Sequence, residues 1–260
     1  LALAAVGSLT AAFQAALDAR GQEILGGDIE WQLSQRAASP DERAALAAHG
    51  ALSESLRMRA MLTRGDGAQS VLVELKSIDR HYPLYGRLRL ATGAIVARPE
   101  GGDVAIASQL AARLGLVVGE HVRIGAARLR VAGLIADEPD RLGAGFTLGP
   151  TVLISAEGLA ATGLAATGLV RPGSLFHAHY RVRLPSDGDP ERVTASVDRQ
   201  FPSAGWEVRD RRNGAPGARR FVERLGQFLT LVSLSALIVA GVGVGNGVAA
   251  YLDQRRSNIA

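Results

Sequence analysis

From Phe228 to Leu252 the chain carries no charged residue, a run of about 25 that reads "FLTLVSLSALIVAGVGVGNGVAAYL". About 20 apolar residues are what a helix needs to cross the hydrocarbon core of a bilayer. In lipid every backbone N–H and C=O must be satisfied within the segment, so a single run of this kind has to be a helix. Four glycines interrupt it. Gly241 and Gly245 are four apart, as are Gly243 and Gly247, and Ala249 extends the first row. Glycines at i and i+4 leave a flat stripe where another helix can approach, and Asn246 among them can hydrogen-bond across helices. Arg255 and Arg256 lie just past the run, which places the C-terminal end in the cytoplasm, with Tyr251 as an aromatic anchor at the interface. Upstream, "APGARRFVERLGQFLTLV" sets Phe221, Leu225, Phe228 and Val232 near one face, as a stalk continuous with the span would.

A second charge-free run, Leu1 to Leu17, opens the chain. A cleavable signal peptide would begin with a basic region, and none is present. The first residue is Leu, so Leu1 is expected to be an internal cut through a first, outward-running membrane helix, and Ala260 a second cut. Between the two runs the sequence has a globular pattern. The net charge of +4 is carried almost wholly by Arg, with Lys76 the single lysine. The arginines form no long basic tract, which argues against a nucleic-acid partner. With no cysteine there is no disulfide, thiolate metal site or thiol nucleophile.

The globular part reads as alternating strands and helices. "DIEWQLSQ" alternates like a strand. "SPDERAALAAHG" is a helix, with Ser39 as N-cap, Pro40 in the first turn and Gly50 after its end. "SESLRMRAMLTRG" and "QSVLVELKSID" form a hairpin across "RGDGAQ". "DVAIASQLAARLGL" is a strand leading into a helix. "VVGEHVRIGAARLRVAGLIADEP" gives short strands with glycine turns, and "GPTVLISAEGLAATG" a strand and a short helix. "SLFHAHYRVRLP" is a strand, "DPERVTASVDRQF" a helix opened by Asp189 and Pro190, and "GWEVRDRR" a strand. The outer parts suggest two halves of one split βαβ sheet, with the middle inserted between them. The direct repeat "LAATG" at 159–163 and 164–168 is too short for a solenoid and reads as local slippage.

Enzyme chemistry finds little support. His177 and His179 share one side of a strand, but no third ligand stands at a zinc-site spacing. Two histidines on a half-exposed strand are the plainer reading. A membrane-bound hydrolase would have to rest on them, since no GxSxG elbow exists. Lys76 in "VELKSID" has no glycine loop before it, so the chain cannot form a P-loop. "GVGVGNG" lacks dinucleotide spacing and lies in an apolar helix.

Several stretches together resemble the FtsX-like permeases of ABC transporters with a large periplasmic domain, the group that includes MacB and LolC/LolE. They are most similar to the YbbP-type permeases encoded near a lysophospholipase/arylesterase. The stretches are "EILGGDIEW", "VELKSIDRHYPLYGRLRL", "LAARLGLVVGEHVRIG", "EPDRLGAGFTLGP", "RPGSLFHAHYRVRL" and the C-terminal helix. "YPLYG" and "EPDR" with the following "LGP" are the most distinguishing, and the LAATG duplication departs from the pattern.

The resemblance implies an α+β periplasmic domain of MacB type flanked by transmembrane helices. Residues 1–25 would be the end of the first transmembrane helix and its stalk. A porter-like subdomain would comprise 26–86 and 171–215, an inserted lobe rich in short strands 87–170, and the stalk and second membrane helix 216–260. It implies a permease subunit in the bacterial inner membrane, with its main domain in the periplasm and no activity as an enzyme. The chain would need no cofactor of its own, because ATP binds a separate ABC ATPase subunit. That ATPase would drive the periplasmic domain for export or extraction of a lipid, lipoprotein or other amphiphile. Other partners would be a second permease half or subunit, the lipid bilayer and periplasmic proteins. Gly241, Gly243, Gly245, Gly247 and Asn246 would pack the helix, and Tyr251, Arg255 and Arg256 would anchor its cytoplasmic end near the coupling region. Tyr82, Pro83, Tyr85, Gly86, Glu138, Pro139, Asp140 and Arg141 are candidates for a lobe junction or partner contact, with plain turn formation as the rival role. The rival for the whole chain is a membrane-anchored periplasmic binding or scaffold module without an ATPase.

Overall fold

A computed structural model describes residues 20–93, 98–141, 149–161, 176–211 and 216–256. The first apolar run and most of the LAATG duplication lie outside them. The chain divides into two compact units, 20–215 and a second made of 1–19 with 216–260.

The unit 20–215 is built on ten strands, among the described residues, in one hydrogen-bonded array. Helix α1 (Gly21–Leu25) leads into β1 (Ile29–Ser34), then α2 (Pro40–Ala47), β2 (Ala51–Arg64) and β3 (Ser70–Ile78). The middle of the chain gives β4 (Arg89–Leu90), β5 (Asp103–Ala107), α3 (Ser108–Leu114), β6 (His121–Ile124), β7 (Ala127–Asp137), β8 (Thr151–Ser155) and α4 (Ala156–Ala161). The last part gives β9 (Phe176–Arg183), α5 (Pro190–Gln200) and β10 (Glu207–Asp210). The strand order is β10-β1-β9-β2-β3-β8-β5-β7-β4, with β6 bridging β2 and β7. The fold is sheet-rich α+β. Strand β9 lies between β1 and β2, so the outer parts of the chain share a sheet.

The 14-residue β2 explains the architecture. Residues Ala51–Met58 pair with β9, and Leu62–Arg64 pair with β6. Since β6 pairs with β7, β7 with β5, β5 with β8, and β8 with β3, the ladder returns to β2 through β3. Six strands thus close a ring in which each has a hydrogen-bonded neighbour on both sides. The middle of the chain cannot close that ring without β2 and β3.

Alternation sets the two faces of β2, because successive side chains point to opposite sides. Leu52, Met58, Ala60 and Leu62 enter the core, whereas Ser53, Ser55 and Arg57 take the other face. The core runs from Ile29, Trp31 and Val182 into the ring, where Leu62, Val73, Val104, Ile124, Leu129, Val131 and Ile154 meet.

Local signals place the helices. Ser39 Oγ accepts from the Glu42 amide (3.2 Å), and Glu42 Oε2 accepts from the Ser39 amide (2.7 Å), a reciprocal capping box. Asp189 caps α5 ahead of Pro190. Helix α3 ends at Gly115, whose φ of +60° suits glycine.

In the second unit, α6 (Pro216–Arg256) is one continuous helix of 41 residues. Its stretch Gly226–Leu252 is long and apolar enough to cross a membrane, with mean hydropathy 2.2 over its most apolar 18 residues. Within it Thr230 and Ser235 donate back to the carbonyls of Gly226 (2.8 Å) and Leu231 (2.9 Å), which satisfies their hydroxyls inside the helix.

Replacing Ser39 by Ala removes one side of the capping box. The expected loss is about 1 kcal/mol, read as a fall of about 2–4 °C in the melting temperature by thermal unfolding.

Candidate functional site

Part of the polar face of β1, β9, β2 and β3 is covered rather than turned to water. Glu30, Ser53, Ser55, Arg57, Lys76, His179 and Arg181 all lie on it and all are buried. Pairing puts Glu30 opposite Arg181, Ser53 opposite Arg181 and Arg57 opposite Lys76. What covers them is the pair of loops that follow β3 and β7, which carry "YPLYG" and "EPDR".

Lys76 is fully buried. Its ammonium donates to Glu138 Oε1, to both oxygens of Asp140 (2.7 and 2.8 Å) and to Tyr82 Oη (3.0 Å). It also lies 4.2 Å from the centroid of the Tyr82 ring. Tyr82 in turn donates to Asp140 Oδ1 (2.6 Å). Asp140 Oδ2 accepts from Arg57 Nη2 (3.0 Å) and from Arg181 Nη1, and Arg181 Nε donates to Glu30 Oε2 (2.6 Å). Arg57 Nη1 reaches Glu74 Oε1 at 3.4 Å. Three cations therefore face four carboxylates.

Burial disfavours the charged form of each, and the partners oppose it. For Asp140 burial pushes the pKa up, but Lys76, Arg181 and Arg57 outweigh it and hold the carboxyl well below its usual range. Glu30 behaves alike, held low by Arg181 and His179 against the effect of burial. For Lys76 burial wins and lowers the pKa, although Asp140 and Glu138 pull it back. Burial and then Asp140 push Tyr82 up. Burial brings His179 down to about 4, even though Glu30 Oε2 is 3.3 Å from Nδ1.

A second buried carboxylate, Asp28, ties together the two places where the chain comes into and leaves this unit. It accepts from Gln22 Nε2 (2.8 Å) in α1, Tyr85 Oη (2.8 Å), the Leu184 amide (2.9 Å) and Arg211 Nη1 (2.9 Å) beyond β10. The Arg211 amide also donates to the Asp28 carbonyl (2.9 Å). The fit at Gly21 is close: a Cβ there would lie 1.9 Å from the Arg211 carbonyl oxygen. Burial raises the Asp28 pKa, but these four donors, Gln22 first, bring it below its usual value. Tyr85, by burial and then by Asp28, is pushed up to about 12. Gly26, two residues before Asp28, lies against the first junction: its φ is +75°, and a Cβ there would lie 3.2 Å from Asp140 Cβ and 3.3 Å from Arg181 Cδ.

Of the residues singled out from the sequence, Tyr82, Glu138 and Asp140 thus meet at one junction, while Tyr85 bonds the second carboxylate, Asp28. Pro83 follows a cis peptide bond. Gly86 and Pro139 touch, because a Cβ on Gly86 would lie 2.6 Å from Pro139 Cβ. Arg141 is exposed and contributes its backbone, donating to the Glu138 carbonyl (3.3 Å). Gly241, Gly243, Gly245 and Gly247 lie in α6, where a Cβ on any of them would meet nothing within 4 Å. Asn246 and Tyr251 are exposed on the same helix, and Arg255 and Arg256 end it. The His177 and His179 rings are 6.5 Å apart, one exposed and one buried. No cluster of three metal-ligating side chains occurs among the described residues. Sequence reasoning missed Lys76, Arg57, Arg181, Glu30 and Asp28. The signal was present in Lys76, the one lysine of an arginine-rich chain, set in an apolar strand.

Asp140→Asn leaves Lys76, Arg57 and Arg181 under-compensated in a buried site. We expect a loss of about 3–5 kcal/mol, against a change within about 0.5 kcal/mol for the exposed Arg141→Ala, both by denaturant unfolding. A separate effect comes from His179. The unfolded chain protonates it as pH falls through about 6.5, the folded chain only near 4. Its contribution is complete above pH 6.5 and is lost on acidification to pH 4, in all about 3 kcal/mol. His179→Gln should flatten the stability profile in that window.

No family model matches the chain. A curated relative, described as the uncharacterized ABC transporter permease YbbP of Escherichia coli (strain K12), is 27% identical over 261 residues. The match takes in 98% of this chain and 30% of the relative, so the chain spans under a third of that protein. Among solved structures, the periplasmic region of MacB from Actinobacillus actinomycetemcomitans aligns with 73% of this chain and 91% of its own length, at 12% identity and TM-score 0.48. A domain of a putative permease from Porphyromonas gingivalis covers 71% and 89%, at 12% identity and TM-score 0.46. The extracellular domain of the ABC-type transporter YknZ from Gram-positive bacteria covers 70% and 100%, at 10% identity and TM-score 0.44. Along nearly its whole length, the chain is related in sequence to an ABC transporter permease, a transport protein rather than an enzyme.

Proposed function

We propose that the chain is the part of an ABC transporter permease subunit that carries one periplasmic domain and the membrane helix after it, in the bacterial inner membrane. A separate ATPase subunit binds ATP, and its cycle moves the periplasmic domain to export or extract a lipid, lipoprotein or other amphiphile. The observation that supports this most is the Asp28 tie. Gln22 and Arg211, near the two ends of unit 20–215, are held by one carboxylate. Gly26, two residues before that carboxylate, lies against Asp140 and Arg181 of the Lys76–Asp140 junction. A domain tied at its base moves as a body when its connecting segments move, as a mechanical element must. The sequence relationship to an ABC permease agrees with this reading. So does α6, which runs unbroken from Pro216 through its apolar stretch. The glycine rows would seat α6 against neighbouring helices.

The test is to purify the full-length protein with whatever ATPase accompanies it, reconstitute both in vesicles, and follow the periplasmic domain by paired spin labels. An ATP-dependent distance change is expected. Gly245→Leu should abolish that change while ATPase activity persists. Absence of any copurifying ATPase, with no response to ATP, would leave the anchored scaffold module as the function.

A further inference from the structure

The outer wall of the strand ring carries a surface that the ionic junction does not use. Pairing sets Ser70 opposite Thr63, Thr63 opposite Arg123, and Arg123 opposite Arg128, a single row across β3, β2, β6 and β7. The alternate residues Leu62, Val71, Val122 and Leu129 are core, so this row faces outward. One pair further along, Met61 stands opposite Leu72, and the two are 50% and 45% exposed. Arg59 follows on β2, also exposed.

Two features of this wall run against stability alone. Arg123 and Arg128 are exposed, directly opposed like charges, an arrangement that destabilises an antiparallel pair. Nearby carboxylates are engaged elsewhere, Asp103 with Arg130, Glu120 with Arg64, and Glu74 with Arg57. Among the described residues no ion pair reaches Arg59, Arg123 or Arg128. The Met61–Leu72 pair adds apolar area beside this uncompensated charge. The wall is a sheet face rather than a concavity, whereas small-molecule sites are concave. Arginine and methionine are side chains enriched at protein interfaces.

We propose that this wall docks a different protein through a segment that sets two or more carboxylates beside an apolar side chain. The carboxylates take Arg123 and Arg128, in the two-pronged geometry that arginine offers. The apolar side chain covers Met61 and Leu72. A second copy of this chain using the same wall would bring arginine onto arginine. The inference does not depend on an ATPase partner.

The test uses the full-length protein in cells, with a photo-crosslinking residue at Leu72 and, as a control, at the exposed Arg192. Adducts are mapped to the peptide by mass spectrometry. The expected adduct, at Leu72 and not at Arg192, is a peptide of another protein with at least two Asp or Glu around an apolar residue. Its yield should fall about tenfold or more in Arg123→Glu/Arg128→Glu, and recover when the mapped carboxylates are changed to Lys. Arg123→Gln/Arg128→Gln relieves the like-charge contact, so it should melt no lower than the parent and still lose the adduct. A lipid adduct, an adduct to a second copy, no adduct, or a yield indifferent to both arginine pairs would overturn the proposal.

Discussion

A lysine ammonium cannot leave water without answering charge, and Lys76 has left it completely. Everything around it follows from that requirement. Asp140 and Glu138 neutralise it, Tyr82 fills its remaining hydrogen-bond direction, and Arg57 and Arg181 share the carboxylate that Lys76 does not saturate. These groups come from three neighbouring strands and two loops, and they meet only in one register. A one-residue slip of β3 would send Lys76 into the core and bring Leu75 onto the charged face. The junction therefore does for the sheet what a buried polar group does for a coiled coil: it penalises every alignment but one.

The same constraint reaches the ends of the unit. Gly26 lies against Asp140 and Arg181, and Asp28 two residues on holds Gln22, Tyr85, Leu184 and Arg211. Only Gly27 stands between Gly26, which lies against the charged junction, and Asp28. Stiffness at this base has a chemical origin: shifting either end would expose or orphan a buried carboxylate, and removing a partner from such a group is strongly destabilising. Long-range pairing of this kind also ties residues far apart in sequence, with Arg181 joined to Glu30 across 151 positions.

Much of the fold was legible. Apolar alternation marked β1, β2, β3 and β9, the Ser39–Glu42 and Asp189–Pro190 signals marked two helix starts, and glycine marked the turns. What alternation could not reveal was the fate of the polar side of each strand. Ser53, Ser55 and Arg57 in β2 look the same in sequence whether water or a loop lies over them. Glu138 and Asp140 cover Lys76 from 62 and 64 residues away, a distance over which no local pattern speaks. "YPLYG" and "EPDR" stood out as motifs, but nothing in them says that they face each other. The closed ring was equally hidden, because it depends on β2 being long enough to pair with β9 at one end and β6 at the other.

The glycines of α6 look different once helix geometry is applied. Residues advance about 100° each around an α-helix, so positions two apart are about 200° apart. Gly241 and Gly245 therefore form one row, and Gly243 and Gly247 another, on nearly opposite sides of the helix. A single neighbour cannot use both. Asn246 falls between them, about 100° from Gly245 and from Gly247. Glycine in a helix interior is destabilising by about 1 kcal/mol against alanine, and four within seven residues exceed what one contact stripe requires. Under the proposed function such a helix would be gripped from two sides, and close backbone approach on both faces, rather than side-chain interlocking on one, would set how it slides or turns.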